Sequence, residues 1–534
     1  MIKSLLTTGN GLTTDNDIIG WLRQRNAEVD VQIDRMPLAE LEGWHFNNDM
    51  SLCHNSGKFF SIEGIHVETD YGKVNVWEQP IINQPEVGFL GILTKMIDGV
   101  LYFLMQAKIE PGNVNNVQIS PTLQATKSNF TQVHQGKKPA YLDYFINAKP
   151  GQILLDQLQS EQGARFLRKR NRNIIIKVDE DVELLPDFRW MTLGQIKALM
   201  AYDNMVNMDT RTVISGINFS KYLTPLVDLS EMSDWGLLLM KSMQEQIGYY
   251  TMDELISWLS NQKAMYNLLV YPKPMKEIRD WRIKEYEISR DDNEFFKVIG
   301  VKVTISNREV SSWCQPLVQP QQQGLCAFII KDIGGVPHFL VQAKLECGNY
   351  DVMELAPTVQ CLTGRYDTNT DTPPFVSYVL NAPKDEILFD TLQSEEGGRF
   401  FHEQNRNMLI RVGDDFPLTV PDNYRWMTLC QLFSFLKFNN FLNIQARSLL
   451  SALAFKSSNI CEFLLIRRTL PEMKKSTLLM HFIPDKYAET IPIARKFLPI
   501  CRKNMVMKVL SSVHPAPRHW KWASYWRTCS PAMR

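Results

Sequence analysis

Neither sign of charge is in excess in this sequence: across 534 residues, Lys plus Arg and Asp plus Glu both total 58. No overall field draws the chain to nucleic acid or to an acidic bilayer, so neither is expected as a partner. Cysteine is sparse, with nine scattered residues and no CxxC pair. That excludes a disulfide scaffold and fits reduced thiols in a cytoplasmic protein. His45, His54 and His66 stand nine and twelve residues apart without any HExxH, so no structural metal is expected. GxGxxG after a strand, GxxxxGK[ST] and GxSxG are all absent, which removes the usual cradles for dinucleotides and nucleoside triphosphates and the serine nucleophile elbow. No uncharged apolar run reaches about 18 residues, and MIKSLLTTGNGLTTDND has no apolar centre of signal-peptide length. A chain that neither spans a membrane nor is secreted is expected.

What is present is material for more than one core. The composition is 44% hydrophobic and 22% charged with 12 Trp, ample for folded domains. The length exceeds what one core organises, which implies two or three domains.

The sequence is written twice at an offset of about 236 positions. QAKIEPGN at 106–113 returns as QAKLECGN at 342–349, WEQP at 77–80 as WCQP at 313–316, and SPTLQ at 120–124 as APTVQ at 356–360. LQSEQGARF at 158–166 returns as LQSEEGGRF at 392–400, NRN at 171–173 at 405–407, and RWMTL at 189–193 at 425–429, always in the same order. The unit is too long for a solenoid repeat, so two copies of a whole domain are expected near 15–225 and 245–453. Between them, WGLLLM suggests a connecting helix. Residues 454–534 follow as a tail with 15 Lys and Arg against 4 Asp and Glu.

LYFLMQAKIE alternates, so it reads as a strand with Gln106, Lys108 and Glu110 on one face and PGN turning the chain beyond them. PTLQAT and NIIIKV read as further strands, DQLQSEQGARFLRKR as a short helix packing Leu155, Leu158 and Phe166, and RWMTLGQIKALM as a closing helix. The fold class expected is α+β, not a doubly wound parallel sheet. A solvated face tolerates any polar residue, whereas the same Gln, Lys and Glu stand in both copies. A site is therefore expected there.

The motifs QAKIEPGN, SPTLQATKSNFTQVHQGKKPAY, LQSEQGARF, NRN and RWMTLGQI resemble those of the NDP-hexose 2,3-dehydratases over about residues 15–453. The resemblance implies a tandem duplication of a Nudix-like domain and a homodimer. It also implies loss of the C2 hydroxyl from an NDP-4-keto-6-deoxyglucose, usually the dTDP form, to give a 3,4-diketo-2,6-dideoxy sugar. Neither copy carries the metal-binding Nudix box, and SEEG at 394–397 matches only a fragment of it. No cofactor is called for, because the C4 ketone acidifies the C3 proton and the C2 hydroxyl sits β to that ketone. The protein must supply a base, an acid and a donor to the enolate oxygen.

The catalytic candidates are His134 or Glu110 as base, Lys108 as enolate donor and Tyr144 as acid. Substrate-binding candidates in the same copy are Gln106, Asn113, Thr122, Gln124, Thr126 and Asn129, with Arg165, Asn171, Arg172 and Asn173 offering guanidinium and amide groups to a diphosphate. Gln342, Lys344, Arg399, Asn405 and Arg406 are the second-copy candidates for nucleotide contact. Catalysis is expected in the first copy, since CLTGRYDTNTDTPPF replaces the His134 segment without any histidine. Two other functions remain open at this point: a sugar-nucleotide binding protein, and a diphosphate hydrolase with an atypical site.

Overall fold

The computed structural model describes residues 1–9, 11–126, 138–306, 310–363 and 372–456. Apolar alternation makes Gly88–Ile97 and Val100–Ile109 an antiparallel hairpin. Asp98 and Gly99 close it, both at positive φ, as a two-residue turn that follows strand twist requires. The second copy repeats the hairpin in Gly324–Ile333 and Val336–Leu345, turning at Gly334 and Gly335.

Beyond Leu93 and Leu104 the two hairpin strands diverge. Gly88–Ile97 takes Leu123–Ala125 as its neighbour, while Val100–Ile109 takes Val117–Ser120 and Phe188–Met191. Thr122 stands at the fork: its hydroxyl accepts from the Leu93 amide at 2.9 Å and donates to the Leu104 carbonyl. Thr358 does the same between Ile329 and Leu340. Arg170–Val178 runs parallel to Gly88–Ile97, and Ile153–Ser160 pairs antiparallel outside it. Among the described residues each copy thus builds a seven-stranded mixed sheet.

Two expectations are corrected. The stretch read as a helix from Asp156 is instead the end of strand Ile153–Ser160 followed by a turn. Its helix-forming Gln and Glu are overruled by the ladder to Arg170–Val178 and by a bond from Gln159 Nε2 to the Leu436 carbonyl of the second copy, 2.8 Å. RWM belongs to strand Phe188–Met191, and the helix spans only Leu193–Leu199. Its start is fixed by a reciprocal cap in which the Thr192 hydroxyl accepts from the Gln195 amide and Gln195 Oε1 accepts from the Thr192 amide. The connecting helix is present as Asp234–Gln244.

The copies are interlocked within one compact unit. Val31–Met36 of the first copy pairs with Phe296–Ile305 of the second, and Leu268–Lys273 of the second with Ser61–Thr69 of the first. Trp44 Nε1 donates to the Cys314 carbonyl at 2.8 Å and Trp281 Nε1 to the Glu78 carbonyl at 2.9 Å, each across the copies. Phe166 and Phe400 meet edge to face, 5.8 Å between ring centres, inside a core shared by both halves. Helices Met208–Ser215 and Ile444–Ser451 also pack together. Arg211 donates to Ser448 Oγ at 2.6 Å and to the Ser394 carbonyl, and Arg447 donates to Thr212 Oγ1 at 2.9 Å and to the Ser160 carbonyl at 2.5 Å. Packing continues to Phe455, which is 2% exposed and stacks edge to face on Phe219. No helix among the described residues is long and apolar enough to cross a membrane.

Candidate active site

The strand face read from the sequence is not solvated but turned into a buried polar cluster, the first cleft. Lys108 and Glu110 are only 8% and 5% exposed, with Lys108 Nζ 3.3 Å from Glu110 Oε1. Gln124 Nε2 donates to the same oxygen at 2.9 Å, and Gln124 Oε1 in turn accepts from Ser120 Oγ at 3.0 Å and Asn207 Nδ2 at 3.3 Å. These donors fix which end of the Gln124 amide faces Glu110. Glu110 Oε2 is buried and has no hydrogen-bond partner among the described residues.

Further acids close around this pair. Glu161 is oriented by Asn171, whose Nδ2 donates to Glu161 Oε1 at 2.6 Å. Burial pushes the Glu161 carboxyl up, against the pull of Arg447 and Lys169. Asp209, in the first turn of helix Met208–Ser215, is driven well above the usual carboxylate range by burial and by the neighbouring Glu396, Glu161 and Glu110. Lys169 is held at about 8 by burial, and its ammonium donates to the Glu86 carbonyl. Glu396 comes from the other copy. Burial and the adjacent Glu110 raise it to about 7, with Arg399 and Lys108 opposing. An acid near neutrality beside carboxylates and a lysine is the equipment of proton transfer.

The second copy has the same scaffold with different chemistry. Gln360 Nε2 donates to Glu346 Oε1 at 2.9 Å, Asn443 Nδ2 to Gln360 Oε1 at 2.7 Å, and Asn405 orients Glu395. Gln445 stands where the first copy has Asp209, and Glu403 where it has Lys169. The residue crossing from the opposite copy is Gln162, whose amide donates to Glu395, where the first cleft receives Glu396. Ala164 stands in place of Gly398.

The structure brings Lys108, Glu110, Gln124 and Asn171 into the first cleft, and Gln106 shares their strand face. It places several other candidates elsewhere. Asn113 turns the chain, donating to the Asn116 carbonyl at 2.7 Å and lying against Gly397 of the other copy. Thr122 is committed to the strand fork, and Asn173 donates to Thr212 Oγ1 at 3.2 Å. Arg172 projects from the opposite face of its strand in a two-pronged pair with Asp156, and Arg406 repeats this with Asp390. Tyr144 lies on helix Leu142–Ile146 against the core under the sheet. Thr126 follows strand Leu123–Ala125 at the end of the described run, and Asn129 and His134 lie outside the described residues.

The arginines cross over. Burial raises the carboxyl of Glu346 in the second cleft, and Arg165, which sits over the Phe296 ring at 4.2 Å, opposes that rise together with Lys344. Arg399 sits over the Phe60 ring at 4.1 Å and opposes the rise of Glu396 in the first. In the second cleft Lys344 Nζ donates to the Gln360 carbonyl at 3.3 Å and Gln342 Nε2 to the Pro357 carbonyl at 2.8 Å. Glu161, Lys169, Asp209 and Glu396 were not singled out from the sequence. Their signal lay in the residues that differ between aligned copies, together with the acid shared by SEQG and SEEG.

A family model for NDP-hexose 2,3-dehydratase matches residues 15–217 and again 252–453. The chain belongs to this family. The dehydratase is 46% identical over 456 residues to the dTDP-4-dehydro-6-deoxy-alpha-D-glucopyranose 2,3-dehydratase of Saccharopolyspora spinosa, covering 85% of this chain and 94% of that one. It is 40% identical to the enzymes of the same name from Amycolatopsis orientalis (85% and 92% covered) and Streptomyces violaceoruber (81% and 95% covered). The double family match agrees with the tandem duplication read from the sequence.

Proposed function

We infer that this dehydratase removes water across C2 and C3 of dTDP-4-keto-6-deoxyglucose, the sugar nucleotide named for its relatives, and does so in the first-copy cleft. The observation that carries the choice of cleft is the asymmetry between copies. The first holds Lys108, Lys169 and four acids, Glu110, Glu161, Asp209 and Glu396. The second has Gln162 and Gln445 in place of Glu396 and Asp209, gains Glu354 and Glu403 where the first has Gln118 and Lys169, and so keeps one lysine against two.

In this reading Glu110, whose Oε2 lacks a hydrogen-bond partner among the described residues, takes the C3 proton. Lys108, 3.3 Å from that carboxylate, donates to the enolate oxygen at C4. Departure of the C2 hydroxyl as water leaves an enol at C3. Its collapse to the ketone places a solvent-derived proton at C2. The second cleft keeps the lysine and the amide relay and serves nucleotide contact or the duplicated core. The resemblance also supports a Nudix-like repeat, a cytoplasmic enzyme and a homodimer.

The test is incubation with dTDP-4-keto-6-deoxyglucose in D2O without added metal, followed by mass measurement and NMR. Loss of one water with deuterium at C2 is expected. An unchanged mass would favour a binding protein, and release of a nucleoside monophosphate a hydrolase.

A further inference from the structure

We propose that Glu396, contributed by the second copy, is the catalytic acid of the first-copy cleft, and that Gly398 is the residue that keeps room for it. The assignment rests on the dehydratase reading and names a group for a step that reading leaves without one.

The geometry comes from the turn after strand Ile387–Ser394, where SEEGGRF crosses to the first copy. It is anchored there by backbone bonds to the PGN turn: the Gly112 amide donates to the Gly397 carbonyl at 2.7 Å and the His402 amide to the Gly112 carbonyl at 2.8 Å. The turn brings Glu396 Oε1 and Glu110 Oε1 to the same side of Gly398. A Cβ on Gly398 would overlap Glu396 Oε1 and lie 3.4 Å from Glu110 Oε1. Two carboxyls from different copies therefore converge on space that only glycine leaves open. The Gly398 amide donates to Glu396 Oε1 at 3.1 Å and aims the group.

In the mirror position Ala164 has that methyl and Gln162 has no acid proton, so the second cleft lacks both halves of the device. A purely structural role would be met by glutamine in either copy, since Gln162 occupies the equivalent site and bonds Glu395.

The groups facing Glu396 are Lys108 from strand Val100–Ile109 and Glu110 just beyond its end, Glu161 and Lys169 from the turn after Ile153–Ser160, Asp209 from helix Met208–Ser215, and Arg399 from its own turn. Burial and Glu110 hold its proton to about 7, so the acid form is available at neutral pH and is lost as pH rises through that value.

With the C3 proton on Glu110, the C2–O bond breaks and its electron pair leaves with oxygen, which takes the Glu396 proton and departs as water. The enolate electrons form the C2–C3 double bond. Glu396, now a carboxylate, regains a proton from the C3 hydroxyl as that carbon becomes a ketone, C2 takes a proton from solvent, and Glu110 returns the C3 proton to solvent. No external oxidant or reductant enters.

The test compares wild type, Glu396→Gln and Gly398→Ala on dTDP-4-keto-6-deoxyglucose, with circular dichroism melts for each. A positioned acid contributes about 100- to 10,000-fold, so Glu396→Gln should lower kcat at least about 100-fold, leave KM within about threefold and abolish the alkaline limb of the kcat profile near pH 7. Gly398→Ala meets only the mobile end of Glu396 and should melt like wild type while losing kcat. If Glu396→Gln folds poorly, Gly398→Ala alone decides. Turnover within about threefold of wild type in a folded variant, with the alkaline limb retained, overturns the assignment. Failure of wild type itself to release water overturns the reading beneath it.

Discussion

Adding one methyl at Gly112 tests why the octapeptide turn recurs. Gly112 is not at positive φ, so alanine there carries no left-handed strain. Its Cβ would instead overlap the backbone carbonyl of Phe400, and at the mirror position Gly348 it would overlap that of Phe166. A backbone oxygen cannot rotate away, so the crossing loop must retreat. That breaks the bonds from the Gly112 amide to Gly397 and from the His402 amide to Gly112. Two backbone bonds are worth about 0.5–1.5 kcal/mol each, and overpacking costs about 1–3 kcal/mol. The sum is a loss of about 2–6 kcal/mol, or a Tm lowered by roughly 4 °C or more. Thermal melts followed by circular dichroism should show this for Gly112→Ala and Gly348→Ala alike, whereas Gly398→Ala, which meets a flexible side-chain end, should stay within about 1 °C. Melting of both interface variants with wild type would refute the claim that these turns join the copies.

Two further perturbations probe other contacts. Burial raises the Glu78 carboxyl, but the Arg279 amide at 2.6 Å, His66 and Lys273 together outweigh it and hold it at about 2. A carboxyl depressed on folding stabilises above its unfolded value of about 4.3 and loses that contribution as pH falls toward 2. Glu78→Gln should therefore flatten the dependence of Tm on pH between those limits, and an unchanged slope would count against the contact. Asn171→Ala removes the donor that orients Glu161 and should lower kcat about tenfold or more, while Asn405→Ala, its second-copy counterpart, should change kcat less than about threefold. Steady-state kinetics on both variants decides between them.

The duplication, the strand of Lys108 and the α+β class were legible because each is written in local pattern. Ile153–Ser160 was not, since its polar residues favour helix and only the ladder to Arg170–Val178 and the reach of Gln159 to the other copy make it a strand. The exchange of Val31–Met36 and Leu268–Lys273 was hidden for a related reason. Two copies of one pattern offer each strand two equivalent partners, and sequence cannot choose between them. Within the site, identity between copies drew the eye to Gln106, Thr122, Asn173 and Arg172. The structure shows Thr122 serving the strand fork shared by both repeats and Arg172 its Asp156 pair. The chemistry that distinguishes the clefts sits instead at Lys169, Asp209, Glu396 and Gly398, where the copies disagree.

The measurement that bears most directly on first-copy catalysis is the rate of water loss from dTDP-4-keto-6-deoxyglucose by Lys108→Ala and Lys344→Ala, each checked for wild-type folding. Lys108→Ala should lower kcat about 100-fold or more, the contribution of one donor to an oxyanion, and Lys344→Ala should stay within a few fold. Loss of turnover in folded Lys344→Ala with Lys108→Ala still active would place the chemistry in the other copy.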